Sequence, residues 1–330
     1  MTNYNLELLF DPDLPDSVND FMNYLQNIKN SSTDTIIAYK KDLRIFFRFM
    51  KLYRNPELKD VDFDNIKISD IDEEFLRSIK LRDLYAFMSF LEKFRKNGVY
   101  ARSRKVATLK SYFKYLQTKE KIIKENPALE LESPKIDKRH PVYLTLSQSK
   151  FLLNSINRNN PNYERDYCIL VLFMNCGMRI SELCNIKLSN IKDDTLTIIG
   201  KGNKERTVYL NKACLKAIEN YLKVRNDSKV KNEEDKNYLF LSKMHKPINI
   251  RTVEMMVKKH ILNAGLVDKH YTPHKLRHTA ATLIYKYGSK DIVSLQNILG
   301  HESISTTQLY THVDDDSLRK VVSSNPLAEF

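Results

Sequence analysis

The 330-residue chain carries 54 Lys and Arg against 41 Asp and Glu, a formal charge of +13, and 42% hydrophobic residues. That length holds two domains with proper cores but not many, and no apolar run of about 18 residues is present to span a membrane. The excess of positive charge favours a polyanionic partner, nucleic acid or a membrane surface, although a chain this rich in Lys, Asn and Ile would be basic for compositional reasons alone.

The opening stretch MTNYNLELLFDPDLPD has acids and no positively charged n-region, unlike a signal peptide, so a cytoplasmic location is expected. The four cysteines, Cys168, Cys176, Cys184 and Cys214, form no CxxC pair. They read as reduced, partly buried thiols rather than a zinc site.

Helical spacing begins with Val18, Phe21, Met22, Leu25 and Ile28. A capping signal at Ser31 to Thr33 then opens a longer helix with the stripe Ile36, Tyr39, Leu43, Phe47 and Met50. Residues 55–69 break the period and read as a loop. One further helix is expected from Asp72 through Leu84, Phe87, Met88, Leu91 and Phe94 to Gly98, and a fourth over about 102–119, packing Val106, Leu109, Phe113 and Leu116. Between residues 101 and 124 stand Arg102, Arg104, Lys105, Lys110, Lys114, Lys119, Lys121 and Lys124 against the single acid Glu120. Such a run is a solvated helix face or a contact to a nucleic-acid backbone. Together these segments make an all-helical bundle of about four helices, residues 1–125. The Pro-bearing stretch NPALELESPKIDKRHP, residues 126–141, has no apolar period and reads as a linker to a second domain, 142–330.

There, Thr145 or Ser147 caps a helix through Phe151, Leu152 and Ile156. A buried helix with Tyr167, Ile169, Val171, Leu172 and Phe173 follows, and Gly177 should stop it. Arg179 then stands at the mouth of the next helix, ISELCNI, with Glu182 three residues on. That spacing either orients Arg179 from behind or makes a surface pair worth well under about 1 kcal/mol. Residues 194–199 and 207–210 have β character, with the turn GKGNKER between them. A lysine on such a tip usually keeps an edge soluble. Two further helices follow, through Leu215, Ile218 and Leu222 and through Val253, Met256, Val257 and Ile261. Between them, residues 227–236 form a charged loop.

Near the end, His274 and Arg277 follow Pro273 and share one face at a helix N-terminus, where the dipole and free N–H groups favour an anion. This is phosphate-binding chemistry. A second helical run, Ile292, Leu295 and Ile298, stops at Gly300, with His301 on the loop after it and Tyr310 nine residues later. A tyrosine oxygen becomes a useful nucleophile beside cations that stabilise its phenolate. His274 and His278 have the i, i+4 spacing of a zinc helix, but HKLRH lacks the glutamate of HExxH. No P-loop and no acidic metal cluster is visible.

Each of these features alone is common; HxxR, Leu-Gly-His and a Tyr nine residues on together are rare. The set resembles the C-terminal signature of the tyrosine recombinase (phage integrase-like) family, and within it the Xer type. Cys176 and Met178 stand where the family more often has Thr or Ala and Leu. The resemblance covers about residues 15–325 and implies a mostly α fold. An N-terminal SAM-like helical core-binding domain would clamp one side of a duplex. A mixed α/β catalytic domain with a small antiparallel sheet would follow.

It further implies that Tyr310 is the nucleophile, that Arg179 and Arg277 bind the nonbridging phosphate oxygens, and that Lys201, rather than Lys204, is the general acid. His274 would be general base or hydrogen-bond partner, His301 would position the phosphate and the tyrosine, and Glu182 would support Arg179. The chemistry that the resemblance implies uses neither cofactor nor metal, which agrees with the lack of a P-loop and of an acidic metal cluster. Arg102, Arg104, Lys105 and Lys110 become candidate DNA contacts. The tail helix with Leu318, Val321 and Val322 resembles the family's exchanged C-terminal helix. The implied partners are double-stranded DNA with a specific site, a homo- or hetero-tetramer on synapsed DNA, a second Xer-type recombinase and an activating accessory protein. The short N-terminal region leaves no room for an arm-binding domain, which favours resolution of chromosome or plasmid dimers over a mobile-element integrase. Two other readings share much of the pattern: a DNA-binding protein that does not cut, and a type IB topoisomerase-like relaxing enzyme.

Overall fold

The computed structural model describes residues 10–136, 142–200, 205–267, 271–288 and 291–300. The chain divides into two units, 1–138 and 139–330.

In the first unit, α1 (Asp16–Asn27) and α2 (Thr33–Arg54) follow the predicted stripes, and Ser32 caps α2 by accepting from the Thr35 N–H. The stretch 55–69 is more ordered than a loop: it holds two short 3-10 helices, Pro56–Asp60 and Phe63–Asn65, and buries Ile66 and Ile68. The single helix expected after Asp72 is two, α3 (Glu73–Ser78) and α4 (Leu81–Lys93). The buried Asp83 explains the break. Its carboxylate accepts from the Lys80 N–H at 2.9 Å, capping a new helix start, and is held there by Arg54 at 2.9 Å. The last long helix, α5 (Val99–Thr118), buries Tyr112 completely, with its hydroxyl 2.7 Å from Ser17 Oγ. Phe21, Phe46, Phe47, Phe87 and Phe113 fill the core around it. Ala128 and Leu131, in the stretch read as linker, are fully buried in that same core.

In the second unit, α6 (Leu146–Asn154) leads to α7 (Tyr163–Cys176), which is apolar nearly all round and lies between α9 (Lys212–Val224) and α12 (Pro273–Tyr287). The short α8 (Ile180–Cys184) precedes a three-stranded antiparallel sheet of β1 (Ile191–Lys192), β2 (Thr195–Ile199) and β3 (Glu205–Tyr209) in that order. Leu196 pairs with Val208 and Ile198 with Arg206, so the buried face carries Leu196, Ile198 and Val208. The unit continues with α10 (Glu233–Lys236), α11 (Ile250–Asn263) and α13 (Ile292–Leu299), whose Leu295 and Leu299 pack against Ala281 of α12. A second buried polar link joins α7 to α11: Asp166 takes Arg165 at 2.8 Å and His260 Nε2 at 3.0 Å. All four cysteines are buried free thiols, with Cys176 Sγ 3.8 Å from Cys214 Sγ.

Candidate active site

α7 ends at Gly177, whose backbone is left-handed (φ +58°), and the reversal delivers Arg179 to the first position before α8. Arg179 and Glu182 then satisfy each other. The Arg179 N–H donates to Glu182 Oε2 at 2.7 Å and Arg179 Nη1 donates to Oε1 at 2.8 Å. The Glu182 side chain is 2% exposed, so this is a buried arrangement and not a surface pair.

Two more guanidinium groups converge on the same carboxylate. Arg206 of β3 forks onto it, Nη1 to Oε1 and Nη2 to Oε2, both at 2.8 Å. Arg277 of α12 stands at ion-pair distance, its Nη1 3.9 Å from Oε2. Burial alone would push the Glu182 carboxyl up; the Arg206 and Arg179 hydrogen bonds outweigh it and hold the group at about 2.

The three arginines also share the C-terminal end of α13. Arg206 Nε donates to the Ile298 carbonyl at 3.3 Å, Arg277 Nη2 to that of Leu299 at 2.7 Å, and Arg179 Nη2 to that of Gly300 at 3.0 Å. The last carbonyls of a helix have no partners within it and carry the negative end of its dipole, so cations gather there. Gly300 closes α13 at φ +63°, and a Cβ on it would meet Arg206 Nη1 at 2.9 Å. One carboxylate among three guanidinium groups leaves a net charge of +2, of which the Arg179 side chain is the most accessible part at 36% exposed.

His274 lies in the first turn of α12, after the Thr272 cap and Pro273, and is exposed. Partial desolvation, then the charges of Arg277 and Arg179, lower its pKa below the ordinary imidazole value. His278 stacks edge-on against it at 4.4 Å between ring centroids, and desolvation with the neighbouring His274, Arg277 and Lys275 takes it down to about 4. Both rings therefore stay neutral near pH 7. Among the described residues no group of three or more His, Cys, Asp or Glu is placed to hold a metal ion, and no helix is long and apolar enough to cross a membrane.

Of the residues expected at the site, the structure brings together Arg179, Glu182 and Arg277, with His274 on the same helix turn as Arg277. Lys201, His301 and Tyr310 lie outside the described residues, as does the tail helix. Arg206 was missed. Its signal was available: in β3 it shares a face with the buried Val208, and an arginine on the inward face of a strand needs a buried acid.

The first unit alters the list of DNA contacts. Lys105 is 5% exposed, with its ammonium 3.2 Å from Asp42, which also takes Arg104 and the Thr108 hydroxyl. It has no face to offer a phosphate, so this expectation is corrected. Arg102 pairs with Glu92 at 2.7 Å, while Arg104 and Lys110 are exposed, the latter reaching the Leu129 carbonyl at 3.4 Å.

Known proteins match both units. Residues 143–317 match the phage integrase family and residues 18–120 the phage integrase N-terminal SAM-like domain. A tyrosine recombinase XerC from Caldanaerobacter subterraneus subsp. tengcongensis is 55% identical, covering 96% of this chain and 88% of the relative. A tyrosine recombinase XerC from Bacillus pumilus is 33% identical, covering 92% of this chain and 94% of the relative. A crystal structure of the XerH site-specific recombinase bound to a palindromic difH substrate has the same fold, with a TM-score of 0.69 at 22% identity over 97% of this chain and 92% of that one. With both units matched in order along nearly the whole chain, this protein belongs to the phage integrase family of tyrosine recombinases, and within it to the Xer type.

Proposed function

We propose that this chain is a site-specific DNA recombinase of the Xer type, which cleaves and rejoins strands through a 3′-phosphotyrosyl intermediate. The observation that carries the reading is the convergence of Arg179 and Arg277 on one buried carboxylate at the C-terminal end of α13, immediately before His301. Two planar forks held side by side suit the nonbridging oxygens of a phosphodiester.

In the proposed reaction the Tyr310 oxygen attacks the scissile phosphorus, the new bond joins tyrosine to the 3′ phosphate, and the bond to the 5′ oxygen breaks. Lys201 gives its proton to that oxygen, releasing a 5′-hydroxyl. The tyrosine proton passes to His274 or to water, and His301 holds the phosphate and the tyrosine. Attack by a 5′-hydroxyl of another strand reverses each transfer and restores the diester. The phosphotyrosyl bond conserves the energy of the diester, so the chemistry needs neither ATP nor a metal.

The partner is double-stranded DNA bearing a specific site, engaged by a tetramer of this chain or of this chain with a second recombinase. An accessory protein would switch the tetramer on. Resolution of chromosome or plasmid dimers in the cytoplasm is the role that fits, with residues 1–125 as the core-binding domain and 142–330 as the catalytic domain.

The test is covalent trapping on nicked suicide duplexes of candidate sites, comparing wild type with Tyr310→Phe on a denaturing gel. A protein–DNA adduct in wild type alone supports the reading. An adduct that survives in Tyr310→Phe refutes the nucleophile, and specific binding with no adduct in either protein is the outcome of a missing activator or of a chain that only binds.

A further inference from the structure

An ionised carboxylate offers about four lone-pair sites. In Glu182 all four are occupied: two by Arg179, through its backbone N–H and Nη1, and two by the fork of Arg206. Arg277, the third cation, stands 3.9 Å from Oε2, outside hydrogen-bond range, and turns Nη2 to the Leu299 carbonyl. Without Arg206, half of the Glu182 sites would open, and beside Arg179, which already holds its two, Arg277 at 3.9 Å would be the next guanidinium to fill them. The net charge of the cluster would fall from +2 to +1 at the same time.

We infer that Arg206 is a positioning residue: by saturating Glu182 it keeps that carboxylate from closing on Arg277 and neutralising it. This rests on the proposed binding of the scissile phosphate by Arg179 and Arg277. Three features of Arg206 fit this part. Its fork matches both carboxylate oxygens, as a lysine could not. Its Nε reaches the Ile298 carbonyl at 3.3 Å, fixing the guanidinium from a second side. Gly300 leaves the space it occupies, since a Cβ there would come within 2.9 to 3.1 Å of three Arg206 atoms.

The experiment measures the rate of covalent adduct formation on saturating suicide duplex, beside DNA affinity, for wild type, Arg206→Gln, Glu182→Gln and the double variant, with Tyr310→Phe as the blank. Arg206→Gln is expected to form adduct on the order of 10²-fold more slowly, the usual effect of displacing a phosphate-positioning group by about 1 Å. Its DNA affinity should change little, because Arg206 is not assigned to the duplex. The double variant, which removes the unsaturated carboxylate as well, should recover at least ~10-fold of that loss, a non-additivity that a merely structural arginine would not produce. If Arg206→Gln does not fold, the same comparison runs between Arg206→Lys and Arg206→Lys with Glu182→Gln. A wild-type rate in Arg206→Gln, or a double variant no faster than Arg206→Gln, overturns the inference while leaving the recombinase reading intact. An adduct that persists in Tyr310→Phe overturns that reading, and the inference with it.

Discussion

Gly177 and Leu299 touch where two helices end: a Cβ built on Gly177 would lie 2.8 Å from Leu299 Cδ2 and 3.4 Å from Ala280 Cβ. The contact seats the end of α13, whose carbonyls hold the arginines, directly on the turn that presents Arg179. Gly177→Ala has to adopt φ +58° and displace Leu299 together. It should cost about 1–3 kcal/mol in urea unfolding and slow adduct formation as well. Gly98→Ala, where nothing lies within 4 Å of the new Cβ, should leave adduct formation unchanged.

The buried Lys105 separates a structural cation from a nucleic-acid contact. Lys105→Ala leaves Asp42 with Arg104 and Thr108 but without its buried ammonium, so stability should fall by on the order of 1–3 kcal/mol. The salt dependence of DNA binding should not change. Substituting the exposed Lys110 or Lys114 should do the opposite, leaving stability alone and lowering the salt slope by about 1 for each phosphate that is no longer neutralised. Titrating DNA affinity against salt for the three variants checks both halves.

Lys105 also shows where the sequence could be read and where it could not. The helical period that marks Leu109, Tyr112 and Leu116 passes through position 105, so the spacing pointed inward while the charge pointed outward. Only Asp42, 63 positions away, decides between them. The same holds for Asp83, whose carboxylate starts a helix in the middle of an unbroken apolar stripe. At the site, HxxR and the Gly177 stop were legible because they are local signals. The Arg206 fork onto Glu182 spans 24 residues, and the α13 carbonyls that receive three arginines carry no side-chain signature at all. Backbone acceptors belong to the tertiary fold, and for the long-range pair the sequence shows at most that an inward Arg206 needs a buried acid, not that the acid is Glu182.

Neutral imidazoles beside the arginines set the pH response of the proposed reaction. His274 is shifted below 6.5 and His278 to about 4, so the proton-accepting form persists to lower pH than an ordinary histidine allows. Single-turnover cleavage should therefore fall at a lower pH than it would for a free imidazole, with a midpoint below 6.5. The sign for stability follows. The unfolded chain takes up the His278 proton first, so folding weakens as pH drops from 6.5 towards about 4, and His278→Leu should remove that part of the slope. A cleavage profile centred on 6.5 would mean that His274 is not held as described.

Glu182 has the opposite dependence. Its folded-state carboxyl lies at about 2 against an ordinary 4.5, because Arg206 and Arg179 bind the ionised form more strongly than burial penalises it. At about 1.4 kcal/mol for each tenfold in proton affinity, this contributes on the order of 3 kcal/mol. A depressed carboxyl stabilises fully above its unfolded pKa, so the contribution is present above 4.5 and drains away as pH falls towards about 2. The difference in unfolding free energy between wild type and Glu182→Gln should accordingly be constant from neutral pH down to about 4.5 and shrink below it, other titrations cancelling in the comparison. A difference that stays constant to about pH 3 would mean that Arg206 and Arg179 do not hold Glu182 ionised, and that the charge of the site is not set by this carboxylate.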